Sequence, residues 1–204
     1  GVINMIHGGR TINKMILDDP RIQGVGFIGS TRAGWELYEQ CGRLGKRSSI
    51  NGNGKNLLVI MPDADLDAAV PWMLRACFGL TGQRCLGVDN VVILGDIYDE
   101  VKTRFKEAAA KMKLGYGLDT ATEMGPYATA AGRDKVRQWI DQALKDGCKL
   151  VLDGRANTPA VYPGGFFMGP TILEEADVDM PSAKEEAFGA VAALIRGDSL
   201  EQAI

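Results

Sequence analysis

The run Phe78-Gly79-Leu80-Thr81-Gly82-Gln83-Arg84-Cys85-Leu86-Gly87 places a cysteine after an apolar helical stretch and just before a strand-like one. A helix-to-strand turn there would present the Cys85 sulfur, a suitable place for a nucleophile. The thiolate is the reactive form of cysteine, and a nearby cation, oriented N–H groups or a base raise its population. Arg84 supplies such a cation. Taken alone, the same residues also fit a buried structural thiol, because free cysteines commonly pack as small apolar groups.

A second stretch with chemical content is Gly29-Ser30-Thr31-Arg32-Ala33-Gly34, which follows the strand-like Gln23 to Ile28 and leads into a helix from about Trp35 to Cys41. A helix N-terminus offers unpaired N–H groups and the positive end of a dipole, and glycine lets a phosphate approach the backbone. The alternative is an ordinary strand-to-helix connection with a Ser or Thr cap. His7, the only histidine, stands beside a Gly-Gly turn and reads as a base or as a loop residue. With one histidine, a zinc site or a Ser-His pair built within this chain is not expected.

The elements that must position these groups alternate in type. Strands are expected at 2–6, 23–28, 46–50, 56–61, 88–94, 149–152, 165–173 and 190–195. Helices are expected from Thr11 to Leu17, Leu66 to Phe78, Ile97 to Met112 and Thr129 to Asp146, with a short helical turn at Ser182 to Glu186. Pro62-Asp63-Ala64-Asp65 caps the second of these helices. Its apolar face is read as Ala69, Trp72, Met73, Ala76 and Cys77. Alternation of this kind predicts an α/β fold of mostly parallel sheets with helices on both faces, in two lobes meeting near Asn51 to Lys55.

Composition sets wider bounds. The chain has 204 residues, 46% hydrophobic and 24% charged, with a net charge of −3, the balance of an ordinary globular protein. Its basic residues are interleaved with acids, so no nucleic-acid surface is expected. No membrane-length apolar run and no secretory leader are visible. The four cysteines show no CxxC or disulfide-like spacing, which points to a reducing compartment, here taken as the cytoplasm, or the mitochondrial matrix in a eukaryote. The chain opens on Gly1 and stops at Ile204 inside a new helix-like segment, so it is expected to be an internal piece of a longer protein.

Taken in order, several segments resemble the aldehyde dehydrogenase superfamily: Phe27-Ile28-Gly29-Ser30-Thr31-Arg32-Ala33-Gly34, Gly54-Lys55 with Pro62-Asp63-Ala64-Asp65-Leu66-Asp67, Gly82-Gln83-Arg84-Cys85, Gly165-Phe166-Phe167-Met168-Gly169-Pro170-Thr171 and Lys184-Glu185-Glu186-Ala187-Phe188-Gly189. The resemblance covers essentially the whole chain. It implies the end of a dinucleotide-binding domain over residues 1–53 and a catalytic thiol domain over 54–204. It also implies a homodimer or homotetramer in the full-length protein.

In the mechanism so implied, Cys85 attacks an aldehyde carbon, hydride passes to NAD or NADP, and a thioester remains on Cys85. Gly29, Ser30 and Gly34 would contact the dinucleotide phosphates, while Glu186 and Phe188 would hold the nicotinamide ribose and ring. Without the resemblance, Glu186 reads as a solvated helix face and Phe188 as a core aromatic. Phe78 and Arg84 are assigned to substrate contact, with Arg84 pairing a substrate carboxylate or only favouring the Cys85 thiolate.

One position departs from most of the family. The residue four before Lys55, usually a glutamate that activates water, is Asn51, and an amide takes no proton at neutral pH. Water is a poor nucleophile without a base, whereas a thiol is partly ionised at neutral pH. The acyl acceptor is therefore expected to be coenzyme A, as in the methylmalonate-semialdehyde dehydrogenase branch, to which Lys55-Asn56 through Val59-Ile60-Met61-Pro62-Asp63-Ala64 is similar. The competing expectations are a hydrolytic enzyme with Glu185 or Glu186 as base and a non-catalytic nucleotide-binding or structural member.

Overall fold

A computed structural model describes residues 1–177 and 179–204. The chain divides into two compact units, Gly1–Gly54 and Lys55–Ile204.

In the first unit, helix α1 (Arg10–Asp18) precedes strand β1 (Gly24–Ile28), helix α2 (Thr31–Arg43) and strand β2 (Arg47–Asn51), and the two strands pair in parallel. The α2 helix starts four residues earlier than Trp35 because Ser30 caps it, its hydroxyl accepting from the Ala33 N–H. Two expectations are corrected. Residues 2–6 form no strand, since no neighbouring strand in the described residues pairs with them, and their apolar side chains are exposed. Thr11 does not cap α1, which begins at Arg10 after Gly9.

The second unit is built on a five-stranded sheet in the order β3 (Asn56–Ile60), β4 (Val88–Leu94), β7 (Val191–Gly197), β6 (Thr171–Glu174) and β5 (Lys149–Leu152). All neighbours pair in parallel except β5 with β6. Both β4 and β7 are buried along most of their length because both of their faces are covered. Alternate residues of β7 show this: Ala192 and Leu194 join a core with helices α3 (Leu66–Phe78) and α4 (Tyr98–Ala110), while Val191 and Ala193 join a core with α5 (Ala130–Asp146). Helices thus cover both faces of a mostly parallel sheet. Short helices α6 (Pro181–Lys184) and α7 (Leu200–Ala203) complete the unit.

Asp65 caps α3 through bonds accepted from the Asp67 and Ala68 N–H groups, and the helix runs on through Pro71. Its buried face differs from the expected one. Trp72 is 66% exposed, and Val70 and Phe78 are buried instead. The strand expected over 165–173 shrinks to Thr171–Glu174. Pro170 has no N–H for a ladder, and the Gly169 N–H is taken by the Gly154 carbonyl.

Candidate active site

The loop between α3 and β4 presents Cys85. After Phe78 the chain turns through three residues in the left-handed region, Leu80 (φ 53°), Thr81 (φ 60°) and Gly82 (φ 66°). Only glycine adopts that conformation freely, so the neighbours must hold the other two. The Thr81 hydroxyl donates to the Gly125 carbonyl at 2.9 Å, and the Gln83 side-chain oxygen accepts from the Ala128 N–H at 3.0 Å. The Gly87 N–H closes a turn on the Arg84 carbonyl at 2.9 Å. Cys85 is exposed at the crest, whereas Cys41, Cys77 and Cys148 are buried. Burial pushes the Cys77 thiol far above its ordinary value, which keeps it protonated and inert.

The two residues assigned to substrate contact are placed elsewhere. Phe78 is fully buried and stacks on Phe105 with ring centroids 5.4 Å apart, so it is a core residue. An aromatic at the end of an apolar helix face serves the core before it can line a pocket. Arg84 turns back onto α3, where Nη2 donates to the carbonyls of Arg75 (2.8 Å) and Ala76 (3.2 Å). It thereby joins the Gly79 N–H on the Arg75 carbonyl and reaches the Ala76 carbonyl of the last turn, and its charge suits that end of the dipole.

A partly buried charged group lies beside the loop. Lys55 Nζ donates to the Glu185 carbonyl at 2.9 Å, stands 3.7 Å from Asp89 and sits over the Trp139 ring at 5.0 Å. Burial lowers the Lys55 pKa, opposed by the charges of Asp89 and Glu186. Burial raises that of Asp89, opposed by Lys55. Desolvation outweighs the attraction on both partners. Glu186, half-buried, belongs to this field. Phe188 is 40% exposed and in the left-handed region at φ 52°, so it is not a core aromatic. A bulky residue held so marks a constrained turn. The next residues are pinned from beneath, the Ala190 N–H donating to the Tyr127 hydroxyl at 2.9 Å.

Within the first unit, Thr31, Gly34, Trp35, Tyr38, Ile50, Gly52 and Asn53 line a cleft of about 430 Å³. Its wall is fixed by a reciprocal pair, the Thr31 N–H donating to the Asn53 side-chain oxygen (2.8 Å) and the Asn53 N–H to the Thr31 hydroxyl (2.9 Å). Gly34 is buried where a Cβ would stand 2.6 Å from Ile50, so it also serves close packing of α2 on β2. Gly29 and Ser30 stand exposed at the start of α2. Asn51 ends β2, exposed, with its carbonyl accepting from the Gly29 N–H at 3.1 Å. His7 is exposed. Among the described residues no group of His, Cys, Asp and Glu is arranged to hold a metal, and no helix is long and apolar enough to cross a membrane.

Residues 1–204, the whole chain, match the aldehyde dehydrogenase family. The chain belongs to that family. It is 38% identical over 204 residues to a Drosophila melanogaster protein named as a probable acylating, mitochondrial methylmalonate-semialdehyde/malonate-semialdehyde dehydrogenase, covering 100% of this chain and 39% of that one. Among solved structures, methylmalonate-semialdehyde dehydrogenase from Oceanimonas doudoroffii matches 96% of this chain with a TM-score of 0.91 and 34% identity, over 40% of its own length. Betaine aldehyde dehydrogenase from Staphylococcus aureus, solved with NAD+, gives a TM-score of 0.90 at 25% identity over 94% of this chain and 38% of its own. The chain therefore spans about two fifths of the length of these relatives.

In this aldehyde dehydrogenase chain, sequence reasoning missed Asp89, Asn56 and Tyr127. A signal existed for the first: Asp89-Asn90 is a polar pair inside the otherwise apolar strand β4, and such a pair in a doubly covered strand must have partners.

Proposed function

We propose that the protein carrying this chain oxidises a carboxylated semialdehyde and passes the acyl group to coenzyme A. The observation that carries this reading is the exposure of Cys85 on a constrained loop while the other three cysteines are buried. The Cys85 thiolate adds to the aldehyde carbon, forming a carbon–sulfur bond and an oxyanion. Loss of hydride from that carbon leaves a thioester. The coenzyme A thiolate then displaces the Cys85 thiolate, giving acyl-CoA and free enzyme.

NAD, when bound, supplies the hydride acceptor. The first-unit cleft supports this reading through its small residues Gly34 and Gly52 and its aromatic wall of Trp35 and Tyr38. Gly29 and Ser30 would take phosphate at the α2 terminus. Glu186 and the exposed Phe188 would hold the nicotinamide ribose and ring. The first unit is thus read as part of a dinucleotide-binding domain and the second as the thiol domain.

Asn51 offers no base, which favours a thiol over water as acceptor. Glu186 is a poor substitute, since its charge is engaged with Lys55. The semialdehyde class follows the names of the relatives. A steady-state assay with and without coenzyme A tests the proposal: NADH formation should depend on coenzyme A, and free acid at full rate without it would overturn the reading.

A further inference from the structure

Two consecutive residues at the head of β3 reach two different loops of the second unit. Asn56 Nδ2 donates to the Cys85 carbonyl at 2.9 Å and to the Gly87 carbonyl at 2.7 Å, clamping the main chain around the thiol. Lys55 Nζ donates to the Glu185 carbonyl at 2.9 Å, at the start of the turn through Glu186 and Phe188. The β3–β4 register shifts between Asn56 and Leu57, an irregularity of the kind that re-aims side chains next to a site.

Asp89 serves both residues. One carboxylate oxygen accepts from the Asn56 N–H at 3.3 Å, and the other stands 3.7 Å from Lys55 Nζ. Trp139 covers the Lys55 ammonium from α5. A long cation mostly removed from water, aimed at a main-chain carbonyl three residues before a strained aromatic, is costly to keep for stability alone. Replacing such a pair by apolar residues is often neutral or stabilising, so its retention fits a demand on geometry.

We propose that Lys55 and Asn56 are a positioning pair, Asn56 fixing the main chain that carries Cys85 and Lys55 fixing the turn that carries Glu186 and Phe188, with Asp89 holding the two in one register. The inference rests on the proposed function for the roles of those two loops. The hydrogen bonds themselves do not.

The test compares Asn56→Ala and Lys55→Met, with Lys55→Arg as the conservative variant, in the full-length protein. Three quantities are measured: the iodoacetamide alkylation rate of Cys85 by peptide mass spectrometry, amide hydrogen exchange over residues 185–190, and the KM for NAD against kcat. Small displacements of reacting groups change rates by up to about 100-fold, so Asn56→Ala should shift Cys85 alkylation roughly threefold or more, with exchange at 185–190 unchanged. Lys55→Met should speed exchange at 185–190 and raise the KM for NAD by about tenfold, with Cys85 alkylation within about twofold, and Lys55→Arg should recover part of the loss. Equal disturbance of both loops by each variant, or no disturbance by either, overturns the pair. If the variants separate the loops as stated while no NAD turnover is found in the parent protein, it is the functional reading that fails.

Discussion

Gly82 and Gly189 lie in backbone contact: a Cβ built on Gly82 would overlap the carbonyl group of Gly189. The loop that presents Cys85 and the turn that carries Phe188 are therefore packed main chain to main chain. Gly189 is as crowded on its other side, where a Cβ would stand 2.5 Å from Val136 and 2.8 Å from the Tyr127 hydroxyl. Neither glycine can take a side chain without moving a loop.

Gly82→Ala should accordingly do more than a surface glycine substitution. Besides the overlap, the position has φ 66°, which disfavours alanine. Overpacking and backbone strain together should destabilise by roughly 3 kcal/mol, read as a fall in the urea midpoint at unchanged m. Cys85 alkylation should change in the same variant. A midpoint within experimental scatter of the parent would show that the loops are not in contact.

Phe78 tests the corrected assignment. As a core residue stacked on Phe105, its replacement by alanine should destabilise the fold by about 3–5 kcal/mol. Phe78→Leu should lose less stability and leave the KM for aldehyde within about twofold, because the ring is packed in the core. A KM raised severalfold with stability intact would return Phe78 to the substrate site.

The Lys55–Asp89 pair gives a pH dependence with a definite sign. Burial raises the pKa of Asp89, so the native state holds a proton that the unfolded chain releases as pH climbs from about 4. The folded state binds more protons in that window, and stability falls with rising pH there. Lys55 opposes the shift, so Lys55→Met should widen the window and steepen the fall, and Asp89→Asn should flatten it. Urea titrations at a series of pH values measure this. A steeper fall in Asp89→Asn than in Lys55→Met would reverse the account.

The legible parts of this chain were those written in local chemistry. Strand β4, helix α3 with its Asp65 cap and the span of helix α5 follow from apolar periodicity and, for α3, from its capping residue, and they fix the parallel sheet. The separation of exposed Cys85 from packed Cys77 was legible because one lies past the helix end and the other on its inner face. Illegible parts depend on distant partners. Arg84 beside a thiol looks like a substrate ligand until α3 is found ending within reach of its guanidinium. Lys55 looks like a turn residue until Glu185, far along the chain, accepts its hydrogen bond. Phe78 lies at the boundary between helix and loop, where periodicity alone does not say which way the ring turns.

Exchange of Asn51 for glutamate addresses the choice of acyl acceptor. A positioned general base contributes about 100-fold or more, so Asn51→Glu should release free acid without coenzyme A at a rate well above that of the parent. No gain in acid release would mean that the side chain at 51 does not govern the acceptor.

The most direct measurement is peptide mass spectrometry of the full-length protein after incubation with NAD and methylmalonate semialdehyde in the absence of coenzyme A. The account predicts an acyl adduct on Cys85 alone, stable in buffer and removed when free coenzyme A is added. An adduct on another residue, or NADH formed at full rate by a Cys85→Ser variant, would contradict it.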